Sequence, residues 1–177
     1  MNVQLARVLT LVALVATLSA CQKPAPPAAA TPEAPDYFAI LGPTSEQFIT
    51  VWNTQNYEVL DAILAPDFHR KAPDQNVSNL AEMKDFVKQV HAAYPDFHVE
   101  TDSIAYTRDH AFVKWTATGT NTGDGATKAT GKPIKVEGMT LLTFRDGRII
   151  EEDVFFDSAA LSAQLGTTAM PHAKKEM

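Results

Sequence analysis

The sequence predicts an α+β domain in which helices cover one face of a single curved, mainly antiparallel sheet, forming a cone-shaped half-barrel with a pocket at its wide end. Three observations predict it. Apolar residues at helical spacing dominate the first half of the domain. After Pro95 the apolar period changes to two and holds through four strands. The chain has 177 residues, 45% hydrophobic and 20% charged, with its apolar density running from Tyr37 to Gly166 and no internal repeat, which is room for one core.

The elements follow in order. Thr44 with Gln47 has the form of a capping box, and Phe48, Val51, Trp52 and Gln55 recur at helical spacing, so a helix is expected over residues 45–56. Tyr57, Leu60, Ile63 and Leu64 predict a second short helix that Pro66 stops. Asn79 with Glu82 caps a third, whose stripe is Met83, Phe86, Val87 and Val90 and which ends before Pro95. Residues 97–107, 110–119, 134–144 and 148–156 are rich in Val, Ile, Phe, Thr and Trp and read as strands. Arg108-Asp109 and Asp146-Gly147 supply tight hairpin turns, and residues 120–133 form a longer Gly-rich connection. Ser158 is expected to cap a last helix from Ala159 to Leu165, closed by Gly166.

Ahead of the domain lies an address. Arg7 is followed by an apolar run from Val8 to Leu18, too short to span a membrane, and then by Leu18-Ser19-Ala20-Cys21. These four residues resemble the bacterial lipobox, which implies cleavage before Cys21 and acylation of its thiol. Residues 22–35 are rich in Pro and Ala, a composition that favours an extended spacer without a core. The expected organisation is a signal peptide over residues 1–20, a lipidated Cys and tether over 21–35, the folded domain over 36–166 and a polar tail over 167–177. With Gln22 rather than Asp after the Cys, the resemblance implies an outer-membrane anchor facing the periplasm. Multiple acyl chains on Cys21 would hold the protein to a membrane stably.

Composition excludes several functions. The net charge is −6 and no run of Lys or Arg exceeds Lys174-Lys175, which argues against a nucleic-acid partner. With one Cys there is no internal disulfide, and no HxH, HExxH or His-plus-paired-carboxylate spacing points to a metal. The glycines of residues 123–132 lack phosphate-loop spacing, with Pro133 where a Ser or Thr would be needed, and no GxSxG elbow is present.

The segments Trp115-Thr-Ala-Thr-Gly119-Thr-Asn121-Thr-Gly123, Thr130-Gly-Lys-Pro133, Gly138-Met139, Phe144-Arg-Asp-Gly-Arg-Ile149 and Asp157 with Gln164-Leu165-Gly166 resemble the SnoaL-like ester and polyketide cyclases of the NTF2-like superfamily. The resemblance runs from about Glu46 to Gly166. It implies a cone around an apolar pocket and, in the cyclases, an intramolecular aldol closure with no metal or cofactor. Their acid-base Asp, three positions before the Asp that precedes the last helix, falls on Val154, and their His on the preceding strand falls on Thr140. Positions shaping the pocket correspond to Trp52 and Phe86.

With the inherited carboxylate missing, Glu152 is the first candidate acid-base group, because strand alternation puts it on the same face as Val154 and Phe156 and turns Asp153 away. Its alternative is a solvated or salt-bridged glutamate near the strand's start. His69, where the chain leaves the second helix, is the second candidate, expected at the pocket mouth, with an exposed loop imidazole as its alternative. Three functions fit: a tethered module binding a small apolar or amphipathic ligand through Trp52, Phe86, Thr140, Val154 and Phe156; an enzyme doing carboxylate chemistry on a carbonyl compound; and a homodimeric interaction domain using the outer sheet face.

Overall fold

The structure, a computed structural model, describes residues 35–125 and 128–167. The expected signal peptide, Cys21, all of the tether but Pro35, and residues 168–177 of the tail lie outside the described residues. The elements are α1 (Tyr37–Thr54), α2 (Val59–Ile63), β1 (Leu64–Lys71), α3 (Leu80–Ala93), β2 (His98–Tyr106), β3 (His110–Thr120), β4 (Pro133–Arg145), β5 (Arg148–Phe156) and α4 (Ser158–Leu165). The four strands read from the period-two pattern pair as an antiparallel meander. A fifth, β1, joins its far side parallel to β5, giving the order β1-β5-β4-β3-β2.

Three expectations need correction. Helix α1 begins at Tyr37, not near Ser45: Asp36 is the N-cap, accepting the Ala39 amide at 3.1 Å. Pro43 inside the helix removes one amide donor, but Leu41 and Ser45 are buried beside it, and core contacts outweigh one lost turn bond. Thr44 caps nothing; its hydroxyl donates across to the Gly147 carbonyl at 3.3 Å. The last helix is capped by Asp157 rather than Ser158, through the Ala160 amide at 2.9 Å. The third correction is β1 itself, where the sequence reading expects a loop. Pro66 and Asp67 interrupt it, and its register slips between Leu64 and His69. Both features are tolerated because the strand lies at the sheet edge.

The apolar interior has two parts. The larger joins Phe48 and Val51 of α1, Phe68 of β1, Met83, Phe86 and Val87 of α3 and the sheet residues Val113, Leu142 and Ile149. The smaller joins Ile134 and Val136 to Leu161 and Leu165 of α4, and Trp115 packs against both. His91, in the last turn of α3, is buried between α1 and α3. Its Nε2–H donates to the Trp52 carbonyl at 2.9 Å, one of the acceptors that α1 leaves unpaired at its end, and its Nδ1 is hydrogen-bonded to the Tyr57 hydroxyl at 3.2 Å.

Candidate functional site

A cavity of about 220 Å³ lies where the two apolar clusters meet. Trp52 enters it from α1 and Phe86 from α3, edge to face with ring centroids 6.0 Å apart. Trp115 and Phe156 close the sheet side, and Leu161 and Leu165 of α4 close one end. Trp52, Phe86, Thr140, Val154 and Phe156 are among its lining residues.

Glu152 lines it too. Alternation along β5 buries Glu152 and Val154 and turns Asp153 and Phe155 to the other face. Glu152 is 3% exposed and its carboxyl makes no hydrogen bond among the described residues. The cation beside it is Arg70, whose Nε lies 3.3 Å from Glu152 Oε2, close enough for ionic attraction but not aligned as a hydrogen bond. Burial pushes the Glu152 carboxyl up to about 7; the Arg70 charge pulls it down, and Asp74 and Asp153 add to the rise.

Arg70 is itself 4% exposed. Its Nη2 donates to Asp74 Oδ2 at 3.2 Å, its Nη1 lies 3.0 Å from Asp74 Oδ1 and donates to the Gln75 carbonyl, and its plane sits 4.5 Å from the centre of the Phe86 ring. Thr140 sits opposite Val154 in the β4–β5 register, so the two positions that the cyclase resemblance assigns to acid-base chemistry face each other across one rung. The Trp115 indole donates to Thr140 Oγ1 at 2.9 Å, which leaves the threonine's own proton for a ligand. Glu152 is the diagonal neighbour of Thr140, one rung along, opposite Leu142.

His69 is corrected in place. Because the chain leaving α2 is a strand, Phe68 and Arg70 turn inward, and His69 turns to the opposite face. There its side chain is 42% exposed and its Nε2 lies 3.0 Å from Glu151 Oε1. It does not line the cavity. Among the lining residues to which the sequence reading gave no role are Arg70, Asp74 and Asn121. Asn121, 1% exposed, fastens the long connection: its Oδ1 accepts from the Thr130 amide at 2.9 Å and the Thr130 hydroxyl at 3.0 Å, and its Nδ2 donates to the Ala93 carbonyl at 3.3 Å. Among the described residues no group of three or more His, Cys, Asp or Glu is placed to hold a metal.

A family model for the SnoaL-like polyketide cyclases matches residues 44–165. The chain belongs to that family. No curated protein sequence matches it. Among solved structures it is similar to TsrD from Streptomyces laurentii, with TM-score 0.66 and 21% identity over 72% of this chain and 96% of that one. A SnoaL-like protein from Jannaschia sp. CCS1 gives TM-score 0.65 and 20% identity over 78% of this chain and 100% of that one. AclR from Streptomyces galilaeus gives 0.64 and 24% over 78% and 91%. At these identities the likeness is one of fold: an NTF2-like sheet with helices on it. The SnoaL-like domain here holds Val154 and Thr140 where the cyclase resemblance places a carboxylate and an imidazole, with a different carboxyl, Glu152, inside the same cavity.

Proposed function

We propose that the domain binds a small, largely apolar carbonyl compound in this cavity and moves a proton on it with Glu152. The observation that carries the reading is the burial of the Glu152 carboxyl, without a hydrogen-bond partner, in the wall of an apolar cavity. A carboxyl titrating near 7 is a stronger base than an ordinary glutamate and is still half ionised at neutral pH. Ionised, Glu152 takes a proton from the carbon next to a carbonyl. The electron pair of that C–H bond moves onto the carbonyl oxygen, where the Thr140 hydroxyl donates a hydrogen bond, and Glu152 then returns the proton to carbon or oxygen. The cavity, at about 220 Å³, is below the roughly 300–1,000 Å³ typical of drug-sized ligands, which favours a one- or two-ring molecule.

The test uses α-tetralone as probe. Binding is followed by calorimetry and exchange of its α-hydrogens by NMR in D2O. The expected result is exchange accelerated by the protein, rising with pH through about 7, and lowered about 100-fold in Glu152→Gln with binding retained. Binding without acceleration would leave a carrier, the reading that the loss of the cyclase acid-base pair favours; absence of binding would remove both.

The sequence supports a place for this activity. The apolar leader, the Leu18-Ser19-Ala20-Cys21 motif and the Pro/Ala-rich stretch after it favour a lipid anchor on Cys21, with the domain in the periplasm and the anchor in the outer membrane. Replacing Cys21→Ser is expected to move the protein from the membrane fraction to the soluble periplasm; unchanged fractionation would overturn the anchor.

A further inference from the structure

Arg70 is a buried cation 3.3 Å from the carboxyl that the proposed function needs as a proton carrier. An arginine free to present its fork would form a two-bond pair with that carboxylate and hold it ionised. The geometry around Arg70 prevents this. Its two terminal nitrogens face Asp74, at 3.0 and 3.2 Å, and Nη1 also donates to the Gln75 carbonyl, so only Nε is turned toward Glu152. The Phe86 ring lies against the guanidinium, its centre 4.5 Å from Cζ.

The loop that delivers Asp74 is fastened independently of that contact. The Arg70 amide donates to the Val77 carbonyl at 2.8 Å, the Val77 amide donates back at 3.0 Å, and the Asn76 side chain accepts the Ala72 amide at 3.2 Å. Asp74 is thus placed beside Arg70 by backbone closure.

We propose that Asp74 is a positioning residue for Glu152: by holding the terminal nitrogens of Arg70 it keeps most of the guanidinium charge turned away from the Glu152 carboxyl, leaving that carboxyl able to take up and release a proton in the cavity. The inference rests on the reading of Glu152 as the proton carrier. The other groups facing Glu152 do not compete for the role. Thr140 and Leu142 on β4, Phe86 and Gln89 on α3 and Trp52 on α1 carry no charge, and among the described residues Tyr94 is the one further titratable side chain in the cavity wall, its phenol pushed up by burial. Asp153 on the same strand faces the opposite side, 3.9 Å from Lys71. With Glu152 protonated, Arg70 and Asp74 cancel and the cavity is neutral, so an uncharged ligand meets no uncompensated charge.

The experiment is a pH titration of the Glu152 side-chain carboxyl carbon by 13C NMR in the full chain, the resonance being identified by its loss in Glu152→Gln. In the unaltered protein the midpoint is expected near 7. In Asp74→Asn the guanidinium charge is no longer offset, and the midpoint is expected to fall by roughly one unit; Asp74→Glu, which keeps the charge, is expected to restore it. Should Asp74→Asn fail to fold, Asp74→Ser is measured for the same fall. If Asp74 only braced the loop, these variants would lower stability and leave the midpoint in place, and that result overturns the proposal. A midpoint in the unaltered protein near that of an ordinary glutamate, about 4.3, would instead overturn the reading of Glu152 itself.

Discussion

The two faces of the β1–β5 strand pair carry nearly the same side chains and give them opposite properties. His69, Arg70 and Lys71 lie opposite Glu151, Glu152 and Asp153 in a parallel register. On the outer face Glu151 meets His69 and Lys71, and the Lys71 ammonium holds its carboxyl below the usual range. One residue on, the inner Glu152 meets Arg70, yet its carboxyl rises to about 7. Both acids have a cation within reach. The difference is solvent: loss of hydration penalises the inner carboxylate more than a poorly aligned cation, itself shared with Asp74, stabilises it. The presence of a counter-charge therefore does not decide how a glutamate titrates; burial and the direction in which the cation's donors point do.

The sharpest way to break this comparison is to remove each cation. Arg70→Met leaves Asp74 and the Gln75 carbonyl without their donor inside the protein, and is expected to cost about 3–5 kcal/mol, as for removal of one member of a buried ion pair. Lys71→Met removes a side chain that is 60% exposed, and is expected to cost under about 1 kcal/mol. Urea denaturation at neutral pH measures both. Similar losses would mean that the inner cluster is as well hydrated as the outer one.

Removing each acid separates the faces by sign. Glu152 has a raised folded value, so the native state holds its proton over the interval in which the unfolded chain has lost it. Its stabilising contribution is complete below the unfolded value of 4.5 and is lost as pH rises toward 7. Glu152→Gln is expected to abolish this decline, making the variant the more stable protein above neutrality by up to about 3 kcal/mol. Glu151 has a depressed value, so its contribution is present above 4.5 and is lost as pH falls through the lower folded value. Glu151→Gln is expected to flatten stability on the acid side only, by a smaller amount because the pair is open to solvent. Thermal melts across pH 3–9 would show the two signs; slopes of the same sign would refute the division.

What the sequence made legible follows the same division. The meander, the two hairpins, α3 with its Asn79 cap and the inward set Glu152, Val154 and Phe156 were readable because alternation and capping are local. Strand β1 was not. Its inward residues are Phe68 and Arg70, so a charge stands where alternation looks for an apolar side chain, and Pro66 reads as a stop. Missing β1 moved His69 to a loop and hid Arg70 and Asp74, because a parallel partner 82 residues away leaves no local trace beyond the pairing of basic His-Arg-Lys with acidic Glu-Glu-Asp. That complementarity was the available signal. Asn121 was passed over for a related reason: its value lies in four side-chain hydrogen bonds, three within the connection and one to Ala93 at the end of α3, and an isolated Asn in a Gly-rich stretch looks like turn chemistry.

The smallest expected effect is also the one that tests the geometry of β1 most directly. His69→Ala removes an imidazole that meets Glu151 at 3.0 Å on the outer face, where Lys71 remains to pair with the same carboxylate. Stability is expected to change by less than about 0.5 kcal/mol, since exposed pairs contribute little and the substitution leaves no buried group alone. Because the side chain points away from the cavity, α-tetralone binding and the midpoint of Glu152 are expected to stay where they are in the unaltered protein. A loss of binding comparable to that from blocking the cavity with Val154→Trp would place the imidazole on the inner face. That would require a one-residue slip of β1 against β5, which would also exchange the environments of Arg70 and Lys71. The same slip would undo the contrast between Glu151 and Glu152, so one alanine substitution on the solvent side checks the register on which the inner chemistry depends.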